Sequence, residues 1–298
     1  MKSENPFLGK HLFICGVGYL GYRIAKQALA KGMQVSGLTR SNEKAAGLTG
    51  EGIQMIHADL VEKRWYTEIT KPVDYVLNCV SAGGGGINNY RHAYLEGMHS
   101  LLQWTAGGFS GRLIYTSSTG VYPFSDGELV DEETAFEAQS ETSEVLLASE
   151  EFLQRSGPDG WAILRLAGIY GPERHYLLNQ IRSGEDVLPG EGEVYLNLIR
   201  VEDICSAIWK VWKASENSLN TIYNVADDQP ALKREVVQWL VEETKQKMPT
   251  FDPHKSIRQR HLPNVKLPNR IISNKKLKAA TCWSPEFPSF REGFADLL

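Results

Sequence analysis

The 298-residue sequence predicts an α/β protein built on a doubly wound parallel sheet. Short apolar runs that read as fully buried strands alternate with longer helical patterns. The first run leads straight into a glycine-rich turn that opens a helix. The alternation holds to about residue 171, and the sequence shows no internal repeat and no low-complexity tract except the glycines at 83–86.

Taken in order, HLFICG (11–16) reads as a strand, and YLGYRIAKQALAKG as a helix closed by Gly32. QVSGLTR (34–40), IQMIHADL (53–60) and VDYVLNCVSA (73–82) are the next strands. A helix runs through YRHAYLEGMHSLLQWTAG, followed by the strand RLIYTSS (112–118). SETSEVLLASEEFL (140–153) is helical, WAILRLAGIYG (161–171) is a strand, and TIYNVAD (221–227) is a late strand. LNLIRVEDICSAIWKVWKAS (196–215) reads as an amphipathic helix returning to the main sheet. Past Gly171, Pro and Gly become frequent and the rhythm loosens. The expected division is a first domain over 1–172, to which about 195–228 returns, and a smaller C-terminal domain from 173–194 and 229–298.

Composition narrows the function. Hydrophobic residues make up 42%, enough for a substantial core, and charged residues 23%, with a net charge of −4. That balance argues against nucleic acid and anionic membranes as partners. No stretch approaches the roughly 18 apolar residues of a membrane span. The N-terminal run is too short for a signal peptide's apolar region. The four cysteines are scattered with no CxxC pair, so reduced thiols and a cytoplasmic location are expected. The seven histidines show no metal-binding spacing, so no metal is expected.

The strongest motif is Gly16-Val17-Gly18-Tyr19-Leu20-Gly21. Between a strand and a helix, Gly16 permits the tight turn and Gly18 lets backbone approach a pyrophosphate. Gly21 lets helix and strand pack closely, and the helix N-terminus offers oriented N–H groups to the anion. An NAD site usually carries an acid about 20 residues further on, for the ribose 2′-hydroxyl. Here the second strand ends in Thr39-Arg40-Ser41, with an Arg and no acid. A guanidinium suits a 2′-phosphate, so Arg40 favours NADP and leaves NAD open. Asp59, after the third strand, has the chemistry to accept from the adenine amino group, or else to cap the next helix.

These residues, with HADL (57–60), IYTSSTGVYP (114–123), LRLAGIYGPER (165–174), YNVADDQP (223–230) and RIISNKKLKA (270–279), resemble the extended short-chain dehydrogenases/reductases. The likeness is to the atypical members of the NAD-dependent epimerase/dehydratase branch. It implies a Rossmann domain that binds NAD(P), with Asp59 and Leu60 beside the adenine, and a smaller C-terminal substrate domain. The implied substrate is a small hydroxyl or carbonyl compound, or a nucleotide sugar. In active members a Ser, a Tyr and a Lys run the chemistry, the Tyr as general acid/base and the Lys lowering its pKa. The family's Ser falls on Ser118. Its Tyr and Lys positions fall on Ser143 and Leu147, and a Glu that comes after them falls on Glu150. The segment 140–153 holds neither Tyr nor Lys, so no local shift of alignment restores the pair.

Replacement acids within the family's pattern are Tyr122 above all, then Tyr170, His175, Glu141 and Glu144. Tyr94 stands where many members carry an Asn, and Arg200 where many carry a His. The segment 125–144 is acidic without a single base, while 254–280 contains no acid. Arg258, Arg260 and Arg270 in the latter suit an anionic substrate. Two functions stay open: an NAD(P)-dependent oxidoreductase or epimerase with an unusual proton donor, and a catalytically inactive NADP-binding sensor or regulator. A homodimer through two helices is common in the family and is compatible with the sequence.

Overall fold

The computed structural model describes residues 5–84, 86–255 and 268–298. In chain order the first elements are β1 (His11–Cys15), α1 (Tyr19–Ala30), β2 (Gln34–Thr39), α2 (Asn42–Thr49), β3 (Gln54–His57), β4 (Tyr75–Asn78) and α3 (Gly86–Tyr90). A π-helix, Arg91–Glu96, leads into α4 (Gly97–Thr105). Then come β5 (Arg112–Ser118), β6 (Glu128–Val130), α5 (Glu141–Ser156), β7 (Trp161–Leu166), β8 (Gly168–Tyr170) and α6 (Tyr176–Arg182). Next are β9 (Val187–Pro189), β10 (Tyr195–Leu196), β11 (Leu198–Arg200), α7 (Val201–Lys213) and β12 (Thr221–Val225). The chain continues with β13 (Ala231–Leu232), α8 (Lys233–Thr244), β14 (Thr250–Asp252), β15 (Arg270–Ile272), α9 (Lys275–Thr281) and α10 (Phe290–Ala295).

The central sheet has seven strands in the order β12-β7-β5-β4-β1-β2-β3. The pairs β1–β2, β1–β4, β2–β3 and β4–β5 are parallel. This is the doubly wound sheet that the apolar runs predict. Every residue of β1 and of β7 is buried, as strands covered on both faces require. Chain order reverses between β1 and β4, which makes the carboxyl end of that strand pair the switch point of the sheet. α1 buries Leu20, Gly21, Ile24, Ala25 and Ala28, the three- and four-residue spacing of one helix face.

Two compact units divide the chain. The first comprises 1–121, 138–165 and 208–223, the second 122–137, 166–207 and 224–298. Phe13, Trp65, Met98, Leu101, Tyr115 and Ile163 lie in the core of the first. Tyr170, Ile181, Val237, Leu240 and Phe294 lie in that of the second. The boundaries differ from the expected ones for a physical reason. β6 pairs with β15, register Glu128↔Arg270, so the segment after β5 joins the second unit. The run 161–171 is likewise two strands, because β8 leaves the line of β7 and pairs with β11. The predicted helix over 196–215 begins only at Val201, after β10 and β11.

The four cysteines, all among the described residues, form no disulfide. Among the described residues, no helix is long and apolar enough to cross a membrane. Nor, among them, do three His, Cys, Asp or Glu side chains gather in a way that would hold a metal ion. Arg258 and Arg260 lie outside the described residues.

Candidate functional site

The turn between β1 and α1 is dictated by sterics. Gly16 has φ +93°, and a Cβ there would lie 3.0 Å from the Val80 backbone. A Cβ on Gly21 would lie 2.3 Å from the Gly16 carbonyl oxygen, closer than any real contact. Gly18 is different: a Cβ there would meet nothing within 4 Å. It is the N-cap of α1, makes no side-chain cap, and no acid occupies the first turn. The first turn of α1 therefore presents its positive end to open space beside Gly18, the arrangement that receives an anion. Leu20 turns its side chain into the core, and Tyr19 carries the Arg23 guanidinium 4.0 Å from its ring centre.

Arg40 comes directly after β2. Its loop is fixed by Ser41, whose hydroxyl accepts from the Lys44 amide at 3.2 Å and caps α2. The Arg40 side chain is 58% exposed and its Nη1 lies 3.8 Å from Asp59 Oδ2. A cleft of about 550 Å³ opens beside it, lined by Arg40, Asn88, Asn89, Arg91, His92 and Glu96. All but Arg40 come from α3 and the π-helix, beyond the glycine run; short π segments are frequent at functional sites.

Asp59 is already engaged. Its Oδ1 accepts from the Val61 amide at 3.2 Å, and its Oδ2 lies 3.0 Å from His92 Nε2. The other ring nitrogen of His92 lies 3.0 Å from Glu96 Oε2. The hydrogen bond to Asp59, with a smaller contribution from Glu96, raises the His92 pKa above its ordinary 6.5. Any contact of Asp59 with an adenine amino group thus competes with His92. Leu60 is buried and packs toward Gly97, while its carbonyl accepts from Trp65 Nε1 at 2.9 Å.

Ser118 ends β5. Its hydroxyl oxygen accepts from the Gly120 amide at 3.0 Å, which leaves the hydroxyl proton to donate. Ser143 is buried in the first turn of α5 and belongs to a capping box with Ser140. Leu147 is partly buried on the same helix, and Glu141 and Glu144 are exposed. Beneath them lies a buried network. Arg165 donates to Glu150 through Nη2 at 2.6 Å and Nε at 3.1 Å, and Ser117 Oγ donates to Glu150 Oε1 at 2.6 Å.

A family model described as the NAD-dependent epimerase/dehydratase family matches residues 12–226, from the first strand to the last of the central sheet. The chain belongs to that family. The protein YeeZ of Escherichia coli (strain K12) is 29% identical over 220 residues, 72% of this chain and 77% of YeeZ. Two solved structures share the fold. One is UDP-glucose 4-epimerase with UDP-glucose from Thermotoga maritima, with a TM-score of 0.79 and 17% identity, covering 95% of this chain and 96% of its own. The other is UDP-glucuronic acid 4-epimerase from Bacillus cereus in complex with NAD, with a TM-score of 0.77 and 16% identity over 95% of each chain.

In this epimerase/dehydratase chain the structure gathers Gly16, Gly18, Tyr19, Leu20 and Gly21 at one turn, and Arg40 with Asp59 at the ends of neighbouring strands. Tyr122, by contrast, falls in the second unit. It is 1% exposed, its ring packs on Phe136, and its hydroxyl donates to Asn224 Oδ1 at 3.0 Å. Tyr170 is in that unit too, stacked on Phe294. His175 bonds through Nδ1 to the Gly171 carbonyl at 3.1 Å. Arg200 is buried there as well, donating to Glu202 and Asp296 and lying over the Phe287 ring. Arg270 is buried in β15, and burial lowers its pKa to about 10. Tyr94, on the π-helix, has its pKa raised by burial.

The residue that sequence reasoning missed is His92. Its partner Asp59 is 33 positions away, and the π turn that aims it has no periodic signature in the sequence.

Proposed function

We propose that the chain is an NADP(H)-binding oxidoreductase or epimerase-type enzyme acting on a small hydroxyl or carbonyl compound, a nucleotide sugar among them. The observation that carries this reading is Gly18. It stands at the open N-terminus of α1, between two glycines whose missing Cβ atoms the packing requires. The residues fit a dinucleotide. Backbone N–H groups and a helix end face the place of the pyrophosphate, and a half-exposed Arg40 borders the cleft for a ribose phosphate. The fold relatives that carry NAD, such as the Bacillus cereus epimerase, support dinucleotide binding in general, and Arg40 supports the 2′-phosphate in particular.

A bound nicotinamide supplies or accepts the hydride. The protein's part is positioning and proton control. Ser118, with its oxygen held by Gly120, donates its proton to a substrate oxygen and orients it. The Ser117–Glu150–Arg165 network braces β5 against α5 below. The proton donor is unusual, because α5 offers Ser143 and Leu147 where a Tyr and a Lys would work. A serine hydroxyl is a far weaker acid than a phenol at about 10. The absence of general acid/base help costs roughly 10² to 10⁴ in rate.

Ser143 also favours a second reading. Its hydroxyl completes a helix cap, an occupation independent of proton transfer. That suits a protein that binds NADP(H) without turning it over and transmits cofactor occupancy to a partner. The scattered cysteines, none in a disulfide, suit a reducing compartment under either reading.

The test is calorimetric titration of the whole chain with NADPH and NADH, repeated on Arg40→Ala. Preference for NADPH that Arg40→Ala removes supports the reading, and equal affinity for both nucleotides in the wild type overturns the NADP assignment. Subsequent hydride transfer to a panel of carbonyl compounds separates enzyme from sensor.

A further inference from the structure

Arg40 alone is a weak selector for a phosphate, because Asp59 stands 3.8 Å from it. A carboxylate there offsets the guanidinium's charge and repels a phosphate dianion at the same place. In this chain Asp59 is not left to act alone. His92, from the π-helix, contacts the same oxygen, Oδ2, that faces Arg40, and Glu96 holds the other edge of the ring. The cleft beside them is lined by both Arg40 and Arg91 as well as by His92. We propose that His92 is a specificity-determining residue of the dinucleotide site. Held between Asp59 and Glu96, it screens the Asp59 carboxylate from a phosphate on the adenosine ribose and makes the preference for NADP(H) over NAD(H) depend on pH. This rests on the NADP(H) reading above.

The charges around the cleft set the sign. With His92 protonated, two guanidiniums and an imidazolium stand against the carboxylates of Asp59 and Glu96; with His92 neutral, the cleft has no net charge from these groups. Among the surrounding ionisable groups, His57 of β3 lies with Nε2 3.1 Å from the Arg40 carbonyl. Arg91 lies 3.7 Å from Glu141 of α5. Glu62 and Arg64, beyond Asp59, pair with each other. Tyr90 on α3, Tyr94 on the π-helix itself and His99 on α4 carry no charge when neutral. Further along α5, Glu144 is exposed, Glu150 is held by Arg165, and Glu151 pairs with Arg155. The hydrogen bond to Asp59, with a smaller contribution from Glu96, raises the His92 pKa above its ordinary value. Positive charge on His92 is therefore kept to higher pH than on a free imidazole and is lost as pH rises through the raised value. A ribose phosphate works in the opposite sense, since its second ionisation near 6 strengthens binding with pH.

The experiment is the dissociation constant of the full chain for NADPH and for NADH between about pH 6.5 and about pH 9, for the wild type and for His92→Gln. Gln keeps a donor toward Asp59 without a charge. The NADPH-to-NADH affinity ratio of the wild type is expected to fall at least about fivefold over this range, within the usual span of coupling between two sites. In His92→Gln the ratio is expected to be low throughout and flat or gently rising. A wild-type ratio that favours NADPH equally at all pH values, or a variant that keeps the wild-type profile, overturns the role of His92 while leaving the NADP(H) reading intact. Binding of neither nucleotide at any pH overturns that reading, and the proposal with it. A thermal melt of His92→Gln confirms that it is folded before the comparison is made.

Discussion

Ser143 and Ser140 bond reciprocally across the first turn of α5. Ser143 Oγ donates to the Ser140 carbonyl at 2.8 Å and accepts from the Ser140 amide at 3.1 Å, while the Ser143 amide donates to Ser140 Oγ at 3.2 Å. The position where the family's tyrosine is expected is thus built as a helix cap. Loss of the cap oxygen in Ser140→Ala is expected to cost about 1 kcal/mol of stability, read from denaturant unfolding. Nucleotide affinity is expected to be unchanged, since the cap touches neither the α1 turn nor the cleft; a large drop in NADPH binding contradicts the assignment of Ser140 to capping alone.

Gly21 carries a steric prediction. The Gly16 carbonyl oxygen would sit 2.3 Å from its Cβ, and backbone cannot yield as a flexible side chain can. Gly21→Ala is expected to destabilise the protein by roughly 1–3 kcal/mol, the range for overpacking, and to displace α1 from β1. Both the melting temperature and NADPH affinity should fall; an unaltered melting temperature would mean that α1 already has slack there.

The Glu150–Arg165 pair is a buried one, with 1% and 5% of the two side chains exposed. Removal of one partner leaves an uncompensated charge, so Glu150→Ala is expected to cost roughly 3–5 kcal/mol. Glu150→Ala with Arg165→Met should recover much of that loss. Unfolding measurements on both variants check the prediction, and equal stability of the single and double variants would contradict it.

Asp227 sets a pH dependence of stability. Burial, with smaller contributions from Asp228, Asp203 and Glu292, pushes its carboxyl up to about 8, against the restraint of the Gln229 amide. A folded-state pKa above the unfolded value of about 3.9 means that the folded protein holds the proton more tightly. Its contribution is full below about pH 4 and is lost as pH rises to about 8. Unfolding midpoints of the wild type should therefore decline between about pH 5 and about pH 8 more steeply than those of Asp227→Asn, and parallel profiles would exclude Asp227 as the cause.

Much of the fold was legible because buried parallel strands leave continuous apolar runs. LFIC and WAIL are unbroken, and the strands that hold them bury every residue, His11 and Arg165 included. The paired short strands were not legible. Glu128–Val130 and Arg270–Ile272 are three residues each, too short for any period, and they are far apart in the chain. The glycine turn was readable because packing requires glycine at Gly16 and Gly21, and Gly18 stands between them at the helix N-terminus at the fixed spacing. Arg40 could be named from its place at the end of β2. His92 could not, because its meaning lies in the carboxylate that faces it across the fold.

The central claim is that the N-terminus of α1 receives a dinucleotide pyrophosphate at Gly18. The most direct test is calorimetric titration of NADPH into the wild type and Gly18→Asp. Gly18 is an N-cap at φ −101° with open space at its Cβ, so Asp is tolerated there and caps the helix while placing a carboxylate where the pyrophosphate would lie. The prediction is micromolar binding by the wild type and at least about 100-fold weaker binding by a fully folded Gly18→Asp, as expected for a like-charge contact. No binding by the wild type at millimolar nucleotide, or equal binding by both proteins, would contradict it.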